Sequence, residues 1–380
     1  MVNKIVYHNI PSPAYVLDEG RLIKNLELIK RVQDEAGVSI ILALKAFSMW
    51  RVFPLVGQYL KGATASSLNE ARLIFEEMGR KAHTYSPAYL PDEFEALLNY
   101  SSHITFNSLH QFHHYKELTI SKDVSAGLRV NPEYSDVEVA LYNPADQYSR
   151  LGVLSENLKD GLPEGIEGLH FHTLCESSAE ALALTLQAFE EKFGHLFSKL
   201  KWVNFGGGHL MTREGYDVEY LIKILKDFKA KHELDIILEP GSAIAWETGE
   251  LVATVLDITH HRGVNTAIVD VSFTAHMPDT LEMPYRPSIL GTLPFDEKGI
   301  NNYRIGGVSC LAGDFMEAYT FDQPLSIGDR LIFCDMIHYT MVKTTTFNGV
   351  KHPNICIFLK DGSLEVVKQF TYEDFKNRLS

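Results

Sequence analysis

Eight short apolar runs, rich in β-branched residues, recur between longer amphipathic segments up to residue 240. They are VSIILAL (38–44), GATASS (62–67), HTYS (83–86), HITFN (103–107), SAGLRV (125–130), GLHFHT (168–173), WVNFGG (202–207) and DIILEP (235–240). The segments between them read as helices. NEARLIFEEMGR stops at Gly79, SAEALALTLQAFEEKFG begins behind serines suited to capping, and VEYLIKILKDFKAKH has basic residues in its last turn. Strands alternating with helices imply a parallel sheet. Eight such units fit a closed (β/α)8 barrel of the TIM type rather than an open sheet.

From about Gly249 the texture changes. ELVATVLDITHH, NTAIVDVSF, DRLIFCDMIHYT and NICIFLKDGSLEVVKQF alternate apolar and polar residues between glycine and Asp-Gly turns. That pattern predicts antiparallel β structure. The expected organisation is an N-terminal segment, 1–12, whose NKIVYHN strand joins the β-domain; an α/β barrel, 13–249; and a C-terminal antiparallel β-domain, 250–380. NPEYSDVEVALYNPADQYSRLG, between the fifth and sixth runs, reads as a long functional loop.

Barrel active sites lie at the C-terminal ends of the strands. Here those ends are Lys45, Ser67, Ser86, Asn107, Arg129, His172, Gly206 to Gly208 and Glu239, nearly all polar or glycine. Each has two readings. Lys45, behind ILAL, is an ion-paired lysine or a desolvated amine fit for covalent work. The three glycines make a tight turn or a phosphate cradle. Glu239 caps a helix or ion-pairs, or else it holds a proton on a ring nitrogen. His172 is a satisfied structural residue or lies flat against an aromatic ring. His170 points the same way but sits deeper in the barrel. Taken together, this order supplies a cofactor-bearing lysine, a ring stacker, a phosphate cradle and a pyridinium partner.

Composition narrows the alternatives. The 380 residues accommodate a barrel of about 250 residues plus a smaller domain. A formal charge of -14 argues against a nucleic-acid partner, which needs a basic stripe. Cys175, Cys310, Cys334 and Cys356 form no CxxC pair, so no metal site is expected, and sparse cysteines suit a reducing cytoplasm. No apolar run approaches the ~18 residues of a membrane span.

LALKAF, SLNEARL, SRLG, LHFHT, NFGGGH and EPGSA, with GVSCLAGD and HYTMVKTTTFNG in the β-domain, resemble the fold-type III pyridoxal-phosphate decarboxylases. That family includes ornithine, arginine and diaminopimelate decarboxylases, and the resemblance runs from about Pro13 to Gly349. It implies pyridoxal 5′-phosphate as cofactor, carried covalently by Lys45. It implies that His172 stacks on the cofactor ring, that Glu239 pairs with its pyridine nitrogen, and that Gly207, Gly208, Gly241 and Tyr339 reach its phosphate. Arg129 joins the cofactor-binding set, and Cys310 returns the proton to Cα. It also implies a homodimer in which the β-domain of one subunit completes the partner's site. Thr64 and Ser242 stand where many members have Asp and Arg. A racemase on the same kind of barrel would not keep a strong carboxylate such as Glu239 on the ring nitrogen, and retention of Lys45 and Cys310 argues against a non-catalytic homologue.

For the far end of the substrate, TAHMPDTLEMPYRP offers His276, Asp279, Glu282 and Arg286, and GVSCLAGD adds Asp314. A pocket rich in carboxylates suits a polyamine-like amino acid with distal amines, because charge-assisted hydrogen bonds to ammonium groups are strong. Arg286 suits instead the distal carboxylate that diaminopimelate decarboxylases bind, or pairs with an acid.

Overall fold

The structure, a computed structural model, describes Tyr7, residues 9–137 and residues 143–380. The chain divides into two compact units, residues 24–244 and residues 1–23 with 245–380. Among the described residues no helix is long and apolar enough to cross a membrane.

The first strand, β1 (Ala14–Asp18), belongs to the second of these units. The other unit is a closed barrel of eight parallel strands: β2 (Ser39–Ala43), β3 (Gly62–Ala65), β4 (Ala82–Tyr85), β5 (Ser101–Phe106), β6 (Ser125–Arg129), β7 (Ile166–His170), β8 (Trp202–Asn204) and β9 (Asp235–Leu238). These are the eight runs read from the sequence. The barrel closes where Ser39 and Ile40 pair with Ile237 and Leu238. The helices follow local signals. Ser67 and Ser178 accept N-cap hydrogen bonds at Leu68–Met78 and Ala179–Phe193, and Asp217 does so at Val218–His232. Gly79, at φ 69°, ends the first of these in the left-handed conformation that glycine adopts without penalty. Trp202 fills the barrel interior beside Ile41 and Ile237. It fits because strands β6 and β7 present Gly127 and Gly168 to it: a Cβ on Gly168 would fall 2.1 Å from the indole.

Register places the site. Arg129 pairs with His170, His170 with Asn204, and Asn204 with Ile237, so four neighbouring strands carry these residues at one level. Glu239 follows two residues beyond Ile237.

In the other unit β1 pairs antiparallel with β10 (Gly249–His261) and parallel with β16 (Asn354–Phe358). Strands β11 (Val264–Val269), β12 (Thr292–Leu293), β13 (Asn302–Gly306), β14 (Phe315–Phe321), β15 (Arg330–Phe333) and β17 (Leu364–Lys368) complete the sheet. The β-domain is therefore mixed, not purely antiparallel. The chain's first strand enters beside its late strand β16, and β13 returns parallel to β11 after an excursion containing two short helices. Residues 14–18, expected in the barrel, belong to this sheet: Ala14 to Leu17 are fully enclosed by strands on both sides. Of the expected NKIVYHN strand, residues 3–6 and His8 lie outside the described residues. The loop expected at 131–152 is described except for residues 138–142.

Candidate active site

Lys45 emerges from the C-terminal end of β2 into the mouth of the barrel. Its Nζ lies 3.1 Å from His172 Nε2, on the loop after β7. The other ring nitrogen, Nδ1, accepts the Gly207 N–H at 2.9 Å. A neutral imidazole whose Nδ1 accepts carries its proton on Nε2. That proton can be given to Lys45 only if the lysine is a neutral amine. The protonation is consistent with the surroundings. The barrel wall desolvates Lys45 and lowers its pKa, although the side chain stays accessible through the mouth, and desolvation holds His172 well below the usual imidazole range.

Glu239 supplies the opposite charge. Asn204 Nδ2 donates to its Oε1 at 2.7 Å, while Asn204 Oδ1 accepts the Gly206 N–H at 2.8 Å. Burial raises the Glu239 pKa; Asn204, Lys45, Thr64 and Arg129 each work to lower it. Arg129 is buried, donates to the His172 carbonyl at 3.1 Å and lies 4.7 Å from the centre of the Tyr85 ring. Tyr85 in turn donates to Asn107, whose Oδ1 also accepts the N–H of Gly152. The SRLG segment is thereby tied to the barrel, and Val153 pairs with the strand end at Val130.

The glycines answer first to packing. A Cβ on Gly207 would lie 2.5 Å from the Glu239 carbonyl, one on Gly208 2.2 Å from the Leu174 carbonyl, and one on Gly241 2.4 Å from Ala46 Cβ. Only glycine lets the loops after β2, β7, β8 and β9 interlock around Lys45. The same absence of side chains leaves backbone as the lining of the mouth, which is what a phosphate cradle requires.

The family model described as "Pyridoxal-dependent decarboxylase, C-terminal sheet domain" matches residues 14–337 of the chain. The chain belongs to this family. A carboxyaminopropylagmatine decarboxylase from Synechocystis is 52% identical, over 98% of this chain and 96% of its own length. A carboxynorspermidine/carboxyspermidine decarboxylase from Campylobacter jejuni is 45% identical, over 98% of this chain and 99% of its own. The crystal structure of carboxynorspermidine decarboxylase complexed with norspermidine, from Campylobacter jejuni, superposes with a TM-score of 0.91 at 44% identity, covering 97% of this chain and 100% of that one.

The residues present fit the cofactor of a pyridoxal-dependent decarboxylase. A lysine whose pKa is lowered by burial, a largely enclosed carboxylate and a glycine-lined mouth occur together. Both nitrogens of buried His170, beside the carboxylate, also lack hydrogen-bond partners among the described residues. The sequence pointed to Lys45, Arg129, His172, the glycines and Glu239, and the barrel brings them together. Asn204, Thr64 and Tyr85 were not singled out as partners. Asn204 alone had a usable signal, as the polar residue just before the glycine run.

The residues of the other unit need correction. His276 is fully buried, and its Nδ1 accepts the Ser272 N–H at 3.1 Å. Asp279 is buried with Oδ2 taken by Tyr285 and Thr340, both at 2.7 Å. Asp314 is buried and accepts from Thr274 N–H, Ser309 N–H and the Ser309 hydroxyl, so it shapes the turn carrying Cys310. All three are buried within their unit, but among the described residues His276 Nε2 and Asp279 Oδ1 have no hydrogen-bond partner. Arg286 is exposed, lies 3.9 Å from the centre of the Tyr319 ring and donates through Nη2 to the Ala318 carbonyl. Glu282 is exposed and pairs with Lys343 at 2.8 Å. Cys310 is exposed, with its N–H held by Asn348 Oδ1 at 2.8 Å, and Tyr339 sits in the left-handed region at φ 47°.

Proposed function

We propose that this chain decarboxylates carboxynorspermidine and carboxyspermidine, releasing carbon dioxide and leaving norspermidine and spermidine, with pyridoxal 5′-phosphate held at Lys45. The observation that carries the chemistry is the convergence of Lys45, His172 and Glu239 on one barrel mouth. When bound, the cofactor accepts the electron pair left as carbon dioxide departs. Lys45 holds it covalently, His172 covers its ring, and the anionic Glu239 keeps its pyridine nitrogen protonated. The loops of Gly207, Gly208 and Gly241 receive the phosphate. Arg129 fixes the His172 loop from behind. Cys310 delivers a proton to Cα, from the partner subunit of a homodimer whose sites draw on both chains.

The substrate rests on full-length likeness to enzymes named for carboxynorspermidine and carboxyspermidine. Likeness at 52% identity to an enzyme named for carboxyaminopropylagmatine favours a second reading, in which the distal end is a guanidinium instead of an amine. Carbon dioxide release from the three compounds, with diaminopimelate, ornithine and arginine alongside, decides between them. The polyamine reading requires the highest kcat/KM on carboxynorspermidine or carboxyspermidine. A higher value on the agmatine derivative installs the second reading, and one on diaminopimelate overturns both.

A further inference from the structure

His170 is a buried polar group beside Glu239 to which the proposed chemistry gives no use. Its side chain is 3% exposed, and among the described residues neither ring nitrogen has a hydrogen-bond partner. Buried polar atoms are paired in the great majority of cases, so an orphaned imidazole calls for a reason. Strand geometry points it inward from β7, on the same face as Gly168 and one step below His172. Its Nε2 lies 3.7 Å from Glu239 Oε2, the carboxylate oxygen opposite the one that Asn204 holds.

We propose that His170 is a positioning residue for Glu239: as a neutral imidazole it turns its Nε2–H to Oε2, so that Asn204 and His170 grip the carboxylate by both oxygens. The inference rests on the reading of Glu239 as the partner of a pyridine nitrogen and adds how that carboxylate is kept ionised in a desolvated site. The surroundings decide the charge of His170. Burial holds it well below the usual imidazole range, and Arg129, Lys45 and His83 push it the same way. Tyr85 meets the ring edge-on at 5.4 Å and adds no charge while protonated. A neutral ring has a single N–H, and the carboxylate favours the tautomer that places it on Nε2. Among the described residues, the other polar groups that act on Glu239 are Lys45 after β2, Thr64 from β3, Arg129 from β6 and Asn204 from β8. Arg129 is the one permanent cation among them, so donors of hydrogen bonds, not excess positive charge, must carry the rest of the stabilisation.

The test reads Glu239 directly in the apoprotein, by 13C NMR of glutamate side-chain carboxyls, with the Glu239 signal identified by its loss in Glu239→Gln. In His170→Phe the Glu239 carboxyl should titrate higher than in the wild type by about one pH unit, a tenfold change in proton affinity. His170→Gln, which keeps an amide N–H near the Nε2 position, should return it most of the way. Imidazole 15N shifts of the wild type should report a proton on Nε2 that does not change between pH 5 and 8. Folding of each variant is checked by circular dichroism, and His170→Asn serves if the phenylalanine does not fold. Unchanged titration of Glu239 in folded His170→Phe or His170→Asn overturns the proposal, as does an Nδ1–H tautomer. Pyridoxal phosphate is added to the wild type separately: absence of a visible absorption band would sink the cofactor reading and leave the Glu239 comparison standing on its own.

Discussion

The nitrogen-to-nitrogen contact between Lys45 and His172 fixes a protonation state, and with it a reactivity. Gly207 commits His172 to donating through Nε2, and Lys45 can accept only as a free amine. The amine is the form that condenses with an aldehyde, and the lowered Lys45 pKa keeps it populated nearer neutrality than a surface lysine. Brief treatment with pyridoxal phosphate followed by borohydride should therefore label Lys45 first. Labelling should rise with pH through the depressed pKa, in a range where exposed lysines are still protonated. Peptide mass spectrometry across pH 6 to 10 measures it, and label spread evenly over the surface lysines would contradict it. Lys45 was legible in the sequence because a lysine directly behind ILAL has few other uses. His276, Asp279 and Asp314 misled for the opposite reason. Residue type shows that a side chain can bind an amine, but only the fold shows that it is buried within its own unit.

Among the elements, β6, β7 and β8 show how the barrel interior is built. Gly127 and Gly168 are spaces that Trp202 occupies, and the indole N–H is satisfied by the Ser125 hydroxyl at 2.9 Å. Gly168→Ala forces a methyl group into the indole, and backbone on both strands must move. Overpacking of this kind costs typically 1–3 kcal/mol, and a contact at 2.1 Å belongs at or above the top of that range. Urea denaturation should show the loss, and Gly168→Ala combined with Trp202→Phe should recover part of it. A variant as stable as the wild type would mean that Trp202 has another rotamer open to it. The eight barrel strands were legible because a parallel sheet covered on both faces reads as short apolar runs. Strands β13 and β14 were not singled out, although NYRIG and FMEAYTF alternate; the conspicuous GVSCLAGD between them drew the reading to chemistry instead of structure. The parallel partners of β1 and β11 were out of reach, because pairing between distant segments leaves no local trace.

At the scale of the whole molecule, acid acts on both units. His276 is held down to about 3 and His209 to about 4, each by burial. Between those values and about 6.5 the unfolded chain binds a proton that the folded chain refuses, so stability is full above about 6.5 and falls as pH drops. For His276 the difference reaches on the order of 5 kcal/mol by pH 3. His276→Gln should flatten the dependence of the denaturation midpoint on pH between 6.5 and 4, and an unchanged slope would show that other groups dominate.

Assembly sets the last expectation. Each proposed site uses Lys45 of one chain and Cys310 of the other, and Cys310 is exposed on a turn ordered from beneath by Asp314 and from the side by Asn348. Lys45→Ala and Cys310→Ala homodimers should both be inactive. When the two are mixed and allowed to exchange, half of the dimers are mixed, and each holds one site with both residues intact and one with neither. About a quarter of all sites then recover activity. The measurement is turnover after exchange, with heterodimer formation verified by differently tagged chains. If each chain instead supplied both residues to its own pocket, every site in the mixed dimer would lack one of them. Verified exchange with no recovery would therefore assign Lys45 and Cys310 to the same chain's pocket, while recovery to about a quarter assigns them to different chains.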